Sequence, residues 1–175
     1  MTDVNTATFE GIVSDSTFSG QGTNAAFAGI NFDMPAGMYV IGANYAEGGG
    51  TFGTGTGASL FGYNPGFTIS LTDGGLFNAF ALKLRGYYES STSFNISFSD
   101  GESFNVTANN PAGAYFGVTL DHAVSSVFIG TASSYIDLDN VSYARAAVPE
   151  PASIALMGLG IAGLIGTRRR KAAKQ

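Results

Sequence analysis

Cysteine and tryptophan are absent from this 175-residue chain, histidine occurs once, and charged residues make up only 12%. Without cysteine there is no disulfide framework and no thiolate metal site. One histidine and no cysteine also exclude a zinc site of the His/Cys kind. Lack of cysteine does not exclude export, since many exported bacterial proteins have none. A serine hydrolase of the nucleophile-elbow type is excluded because no G-x-S-x-G occurs. The lone His122 follows Asp121 and is expected at a turn between strands. A carboxylate-pair glycosidase stays open as a remote reading, because Glu10, Glu47, Glu89 and Glu102 show no spacing that singles out a pair.

Basic residues are scarce in most of the chain. Only Lys83, Arg85 and Arg145 precede residue 148, whereas twelve of the thirteen acids do, so the body carries −9 and the remaining segment +4. A body of that charge argues against nucleic acid as a partner. The first ten residues, MTDVNTATFE, contain neither a basic n-region nor an apolar stretch, so they are not a signal peptide. Export would therefore require a signal upstream of Met1.

What is abundant is glycine, at 25 residues, with many Thr, Ser, Asn and Phe, a composition that points to an all-β surface protein. Strand-like runs separated by turn signals are expected at about Thr6–Val13, Phe27–Phe32, Met38–Tyr45, Phe67–Leu71, Ala79–Tyr88, Ser93–Ser99, Ser103–Ala108, Ala114–Leu120, Ala123–Gly130 and Tyr135–Tyr143. About ten antiparallel strands suit a jelly-roll-like β-sandwich better than a small barrel. Residues 46–57 hold six glycines in twelve positions; no Gly-Lys-Ser/Thr follows, so this is a flexible loop and not a phosphate cradle.

Alternation is clearest mid-chain. Phe80, Leu82 and Leu84 face the core, while Ala81, Lys83 and Arg85 face outward. Phe94, Ile96 and Phe98, then Phe104 and Val106, continue the core face across a hairpin marked by Asp100-Gly101. Burial of one face selects an odd loop of three or five residues, setting Phe98 opposite Phe104 and Ile96 opposite Val106.

The chain closes differently. After a linker, Val148-Pro149-Glu150-Pro151 leads into an uncharged run, Ala152 to Gly166, and then Arg168-Arg169-Arg170-Lys171. As a helix, that run of 15 residues is about 22 Å long at 1.5 Å per residue. A bilayer core is about 30 Å thick, so the run is marginal as a permanent span. The basic cluster supplies a cytoplasmic stop by the positive-inside rule, placing the body outside. Gly158-Leu159-Gly160-Ile161-Ala162-Gly163 matches G-x-G-x-x-G, but the chain ends too soon for a βαβ unit, so the match is fortuitous. The expected organisation is a β-sandwich over residues 1–145, a linker with Pro-Glu-Pro over 146–151, an apolar helix over 152–167 and a basic tail over 168–175.

In type and order, these parts resemble the PEP-CTERM sorting signal of Gram-negative bacteria. That resemblance implies a membrane peptidase of the exosortase type as partner, with Pro149, Glu150 and Pro151 as recognition residues and Arg168, Arg169, Arg170 and Lys171 as the membrane stop. It also implies transient anchoring in the inner membrane, then release to the cell surface or extracellular matrix, commonly with exopolysaccharide. The body, from FTISLT to YIDLDNVSYA, resembles jelly-roll modules similar to carbohydrate-binding modules. Such sandwiches often tie first and last strands with a structural Ca²⁺, and the resemblance assigns Glu10 and Asp139 to it. Asp139 shares parity with Val141 and Tyr143, so either a bulge lies near it or it points inward. The bland alternative has Asp139 and Asn140 capping a turn. Tyr63, Tyr87, Tyr88 and Tyr115 are the available aromatic platforms for sugar. Two readings of the body stand side by side here: a structural matrix component and a glycan-binding module. Neither is an enzyme.

Overall fold

The computed structural model describes residues 4–47, 50–51, 57–63, 65–86, 90–109, 112–132 and 135–145. All thirteen regular elements among them are strands: β1 Val4–Ala7, β2 Phe18–Phe27, β3 Ile30–Ile41, β4 Ala46–Glu47, β5 Gly50–Thr51, β6 Ser59–Tyr63, β7 Gly66–Leu71, β8 Phe77–Arg85, β9 Ser91–Phe98, β10 Ser103–Asn109, β11 Ala114–Val124, β12 Ser126–Thr131 and β13 Tyr135–Ala144. Eleven form one antiparallel sheet along the path β10-β9-β12-β7-β3-β6-β13-β8-β11, with β1 added to β13 and β2 to β3.

The path becomes a two-layer sandwich because β3 is shared. Its first half, Ile30–Asp33, pairs with β7, and its second half, Met38–Ile41, pairs with β6. Between them the partner β2 slips register at Gly22, and Gly22 (φ 76°) and Gly37 (φ 86°) take the left-handed backbone that this corner needs. The layers bury one core. Phe32, Phe67, Ile96, Val127 and Ile129 come from one sheet, and Leu60, Leu84, Ile136 and Leu138 from the other, all essentially without exposure. Phe80 meets Phe98 edge-to-face across the layers at 6.1 Å. At the open side the Phe104 ring of β10 lies 5.5 Å from the Phe116 ring of β11, so the sandwich is nearly closed.

The all-β, antiparallel expectation holds, with corrections. The run Phe27–Phe32 is two strands, because Ala28 (φ 49°) and Gly29 (φ 79°) make a two-residue turn between Phe27 and Ile30. The strands β2 and β6 were not expected, nor was the β4–β5 pair within the stretch 46–57 that was expected to be a flexible loop. The first strand stops at Ala7 and does not reach Val13. His122 lies within β11, not at a turn. The β9–β10 loop is odd, as burial demands, and has three residues. Glu102 therefore faces Phe98, and Phe104 and Val106 face Ile96 and Phe94, two residues from the expected pairs. The apolar helix, the Pro-Glu-Pro and the basic cluster lie outside the described residues. Among those described, no helix is long and apolar enough to cross a membrane.

Candidate functional site

Alternation along β3, β6, β13 and β8 sends one set of side chains into the core and the other onto the outer face of the second sheet. Strand register then sets that outer set in line: Tyr39 beside Phe61, Phe61 beside Asp137, Asp137 beside Arg85. Aromatic rings extend the line at one end. Phe61 and Tyr135 stack at 5.4 Å, Tyr63 lies 5.1 Å from Tyr135 and 6.2 Å from Tyr39, and Phe18 lies 5.8 Å from Tyr39 and 5.1 Å from Tyr45. Ile41 and Phe61, with Tyr39, Tyr45 and Tyr135 packed against them, form an apolar cluster separate from the core, and the rings of Phe18 and Tyr63 border it. Phe18 is 52% and Tyr63 37% exposed, so the cluster opens to solvent. Gly42 helps to hold it: a side chain there would strike the carbonyls of Ser14 and Asp15, the turn that brings Phe18 to Tyr45.

The other end of the line is charged. Arg85 donates to Asp137 Oδ2 through Nε at 3.1 Å and Nη2 at 2.9 Å, and both side chains are buried. Burial pushes the Asp137 carboxyl up to about 6, although Arg85 opposes it. Asp137 Oδ1 and the Ser59 hydroxyl make no standard hydrogen bond with the described residues. Even so, the hydroxyl is close enough to favour the charged carboxylate. Beyond, Lys83 Nζ sits 5.9 Å from the Tyr115 ring, which is 75% exposed.

The third feature is a pair of acids. Asp139 is opposite Lys83, and the β13–β8 ladder then shifts register, with Asn140 in the left-handed region at φ 52°. Asn140 donates to Asp139 through its backbone N–H at 2.7 Å and its amide at 3.0 Å. Glu10 follows Phe9, also left-handed at φ 56°, and its Oε1 accepts from the Ala58 N–H at 3.0 Å. Burial raises the Asp139 pKa, and the nearby Glu10 charge adds to the rise. Non-glycine residues rarely adopt this conformation, and both cases adjoin an acid.

Comparison with known families concerns the far end of the chain. Residues 147–171 match the PEP-CTERM protein-sorting motif. No curated protein matches the chain. Among solved structures, the body is similar to a xylan-binding domain of carbohydrate-binding module family 22, at 16% identity over 82% of this chain and 95% of that one, TM-score 0.47. The C-terminal family 22 module of Clostridium thermocellum Xyn10B gives 16%, 82%, 94% and 0.47. A family two carbohydrate esterase from Cellvibrio japonicus gives 11%, 74%, 35% and 0.40.

Read beside the PEP-CTERM match, the expected site residues fall into three groups. Glu10 lies near enough to Asp139 for its charge to act there; at Asp139 the register shifts and the side chain is also buried, and Asn140 donates to its carboxylate. Of the four tyrosines, Tyr63 joins the aromatic cluster, Tyr115 stands apart beside Lys83, and Tyr87 and Tyr88 lie outside the described residues. The expected recognition residues Pro149, Glu150 and Pro151 and the expected stop Arg168–Lys171 also lie outside them, within the matched segment. Sequence reading missed Phe18, Tyr39, Phe61 and Tyr135. Their signal was outward parity next to core positions such as Met38, Leu60 and Ile136.

Proposed function

We propose that this is an exported bacterial protein, sorted by an exosortase through its PEP-CTERM segment, whose sandwich then contacts exopolysaccharide at the cell surface or in the matrix. The observation that carries the sorting half is the family match over residues 147–171. Mass spectrometry of the surface fraction of the native host tests it. The expected polypeptide ends near Pro149–Pro151; a surface form intact to Gln175 rejects processing.

The glycan-contacting half rests on the aromatic cluster. The face of an aromatic ring is electronegative and attracts the weakly positive C–H groups of a sugar, provided water leaves both. The rings of Tyr63, Tyr135 and Phe61 lie edge to face, tilted or stacked within 5.7 Å of each other, so little side-chain entropy remains to be lost. Replacing Tyr63 and Tyr135 together by Ala weakens retention on a polysaccharide gel about tenfold or more, at ~1 kcal/mol per ring. Unchanged retention leaves the matrix-component reading. The body is read as non-catalytic. His122 contacts Asp100 at an exposed hairpin tip.

Structural calcium at Glu10 and Asp139 belongs to the same reading. Two carboxylates, from the segment after β1 and from β13, lie close enough to repel, and each keeps lone pairs beyond its hydrogen bonds. Among the described residues no set of three acid or histidine side chains could hold a metal. Backbone carbonyls and water would therefore complete the six to eight oxygens that calcium takes. Calcium at about 100 times its dissociation constant adds about 2.7 kcal/mol of stability. Melting with calcium and with chelator is expected to differ in the parent chain and not in Asp139→Asn; equal midpoints in the parent remove the site.

A further inference from the structure

The opposite outer face is built on a different plan. Across the first sheet, register aligns Ser103, Ser97, Phe128, Thr68, Asp33 and Asn24, one residue from each of six strands. The neighbouring row runs Asn105, Asn95, Gly130, Gly66. Asn95 donates to Asn105 at 3.3 Å, and Ser97 donates to Asn95 at 2.6 Å. The rows are hydroxyls and amides with one acid and one ring.

That ring has a prepared seat. A Cβ on Gly130 would lie 2.7 Å from Phe128 Cε1 and 3.3 Å from Cζ. The ring therefore leans along the sheet into the space that any side chain at 130 would fill. Phe128 remains 38% exposed, flanked by Ser97 on one strand and Thr68 on the other. A ring lying down between hydrogen-bonding side chains offers a flat apolar patch with polar edges, the mixed character of a sugar. The charge pattern decides which sugar. The three basic residues of the body are Lys83 and Arg85 on β8 and Arg145 after β13, none on this face, while Asp33 is. An acidic polymer would meet repulsion and no cation; a neutral one meets neither.

We propose that the Phe128 face is a second contact surface, for neutral polysaccharide. Together with the aromatic cluster on the other layer, this makes the protein a two-sided cross-linker of polysaccharide chains. The cross-linking half rests on the reading of that cluster given above; the Phe128 surface does not.

The test uses the full chain in detergent against neutral β-glucan, xylan and mannan, with alginate as the acidic control. Retention in polysaccharide-containing gels is measured for the parent, Phe128→Ala, Tyr63→Ala/Tyr135→Ala and the triple variant. The double variant is expected to keep residual retention on a neutral polymer. The triple variant loses it by about fivefold, and Phe128→Tyr restores it. Light scattering of parent–polysaccharide mixtures should show aggregates that Phe128→Ala abolishes. If the double variant already shows no retention, the Phe128 surface is overturned and the cluster stands. If Phe128→Ala alone removes all retention and the double variant none, the Phe128 surface stands and the cluster falls. A parent chain retained only by alginate, or by nothing, overturns the proposal. Equal melting midpoints of all five proteins show that the losses are not unfolding.

Discussion

At pH 7, where Asp137 is ionised, Asp137→Ala lowers the stability of the sandwich by about 3–5 kcal/mol, because it leaves the Arg85 guanidinium buried without its carboxylate. Urea unfolding of the parent and variant measures this directly. Replacing both partners, Asp137→Leu with Arg85→Met, is expected to cost far less or nothing, since the desolvation of two ions disappears with their attraction. A double variant as unstable as the single one would show that shape, not charge, is at issue. The pair also sets a pH dependence whose sign follows from burial. Asp137 titrates at about 6 in the fold and 3.8 in the unfolded chain. Below 3.8 both states hold the proton and the fold has its full benefit. As pH rises through about 6, the buried carboxyl must ionise and the benefit is lost. A shift of that size corresponds to roughly 3 kcal/mol. The parent thus loses more stability between pH 4 and 7 than Asp137→Asn does; parallel pH profiles for the two would refute this.

How much of this was legible in the sequence depends on whether neighbours in the fold are neighbours in the chain. The outward direction of Lys83 and Arg85 is local and follows from alternation with Leu82 and Leu84. The odd β9–β10 loop is local too; its length was not, because three and five residues bury the same apolar set. The bulge at Asn140 announced itself as a change of parity at Asp139. The Tyr39, Phe61, Asp137, Arg85 line is another matter. Its members come from β3, β6, β13 and β8, and only the strand order makes them adjacent. Nothing in a period-two pattern specifies which strand lies beside which. The Ala28-Gly29 turn escaped for a different reason. Its first residue is alanine, which seldom takes positive φ, so Phe27–Phe32 read as one apolar strand.

Lengthening the apolar run from 15 residues to 20, with five leucines inserted between Leu164 and Ile165, is expected to abolish processing and leave the chain anchored. In helical form five residues add about 7.5 Å, and the run grows from about 22 Å to the full thickness of a bilayer core. On the proposed sorting reading, which holds the basic cluster at the cytoplasmic side, Pro149-Glu150-Pro151 would ride outward by that distance, away from the membrane peptidase. Pro149→Ala/Pro151→Ala should act by another route to the same end. Proline disfavours helix at its own position and at the residue before it, which would suit recognition in a protease cleft, and alanine removes that bar. Immunoblots of membrane and surface fractions against the body give the ratio of long to short forms. The parent is expected almost wholly in the short form, and both variants almost wholly in the long one. Normal cleavage of the lengthened chain would mean that the peptidase reads the Pro-Glu-Pro sequence without regard to its depth. Normal cleavage of the alanine variant would mean that depth alone is read. The two results separate shape from position as the information carried by a segment too short to be a comfortable anchor.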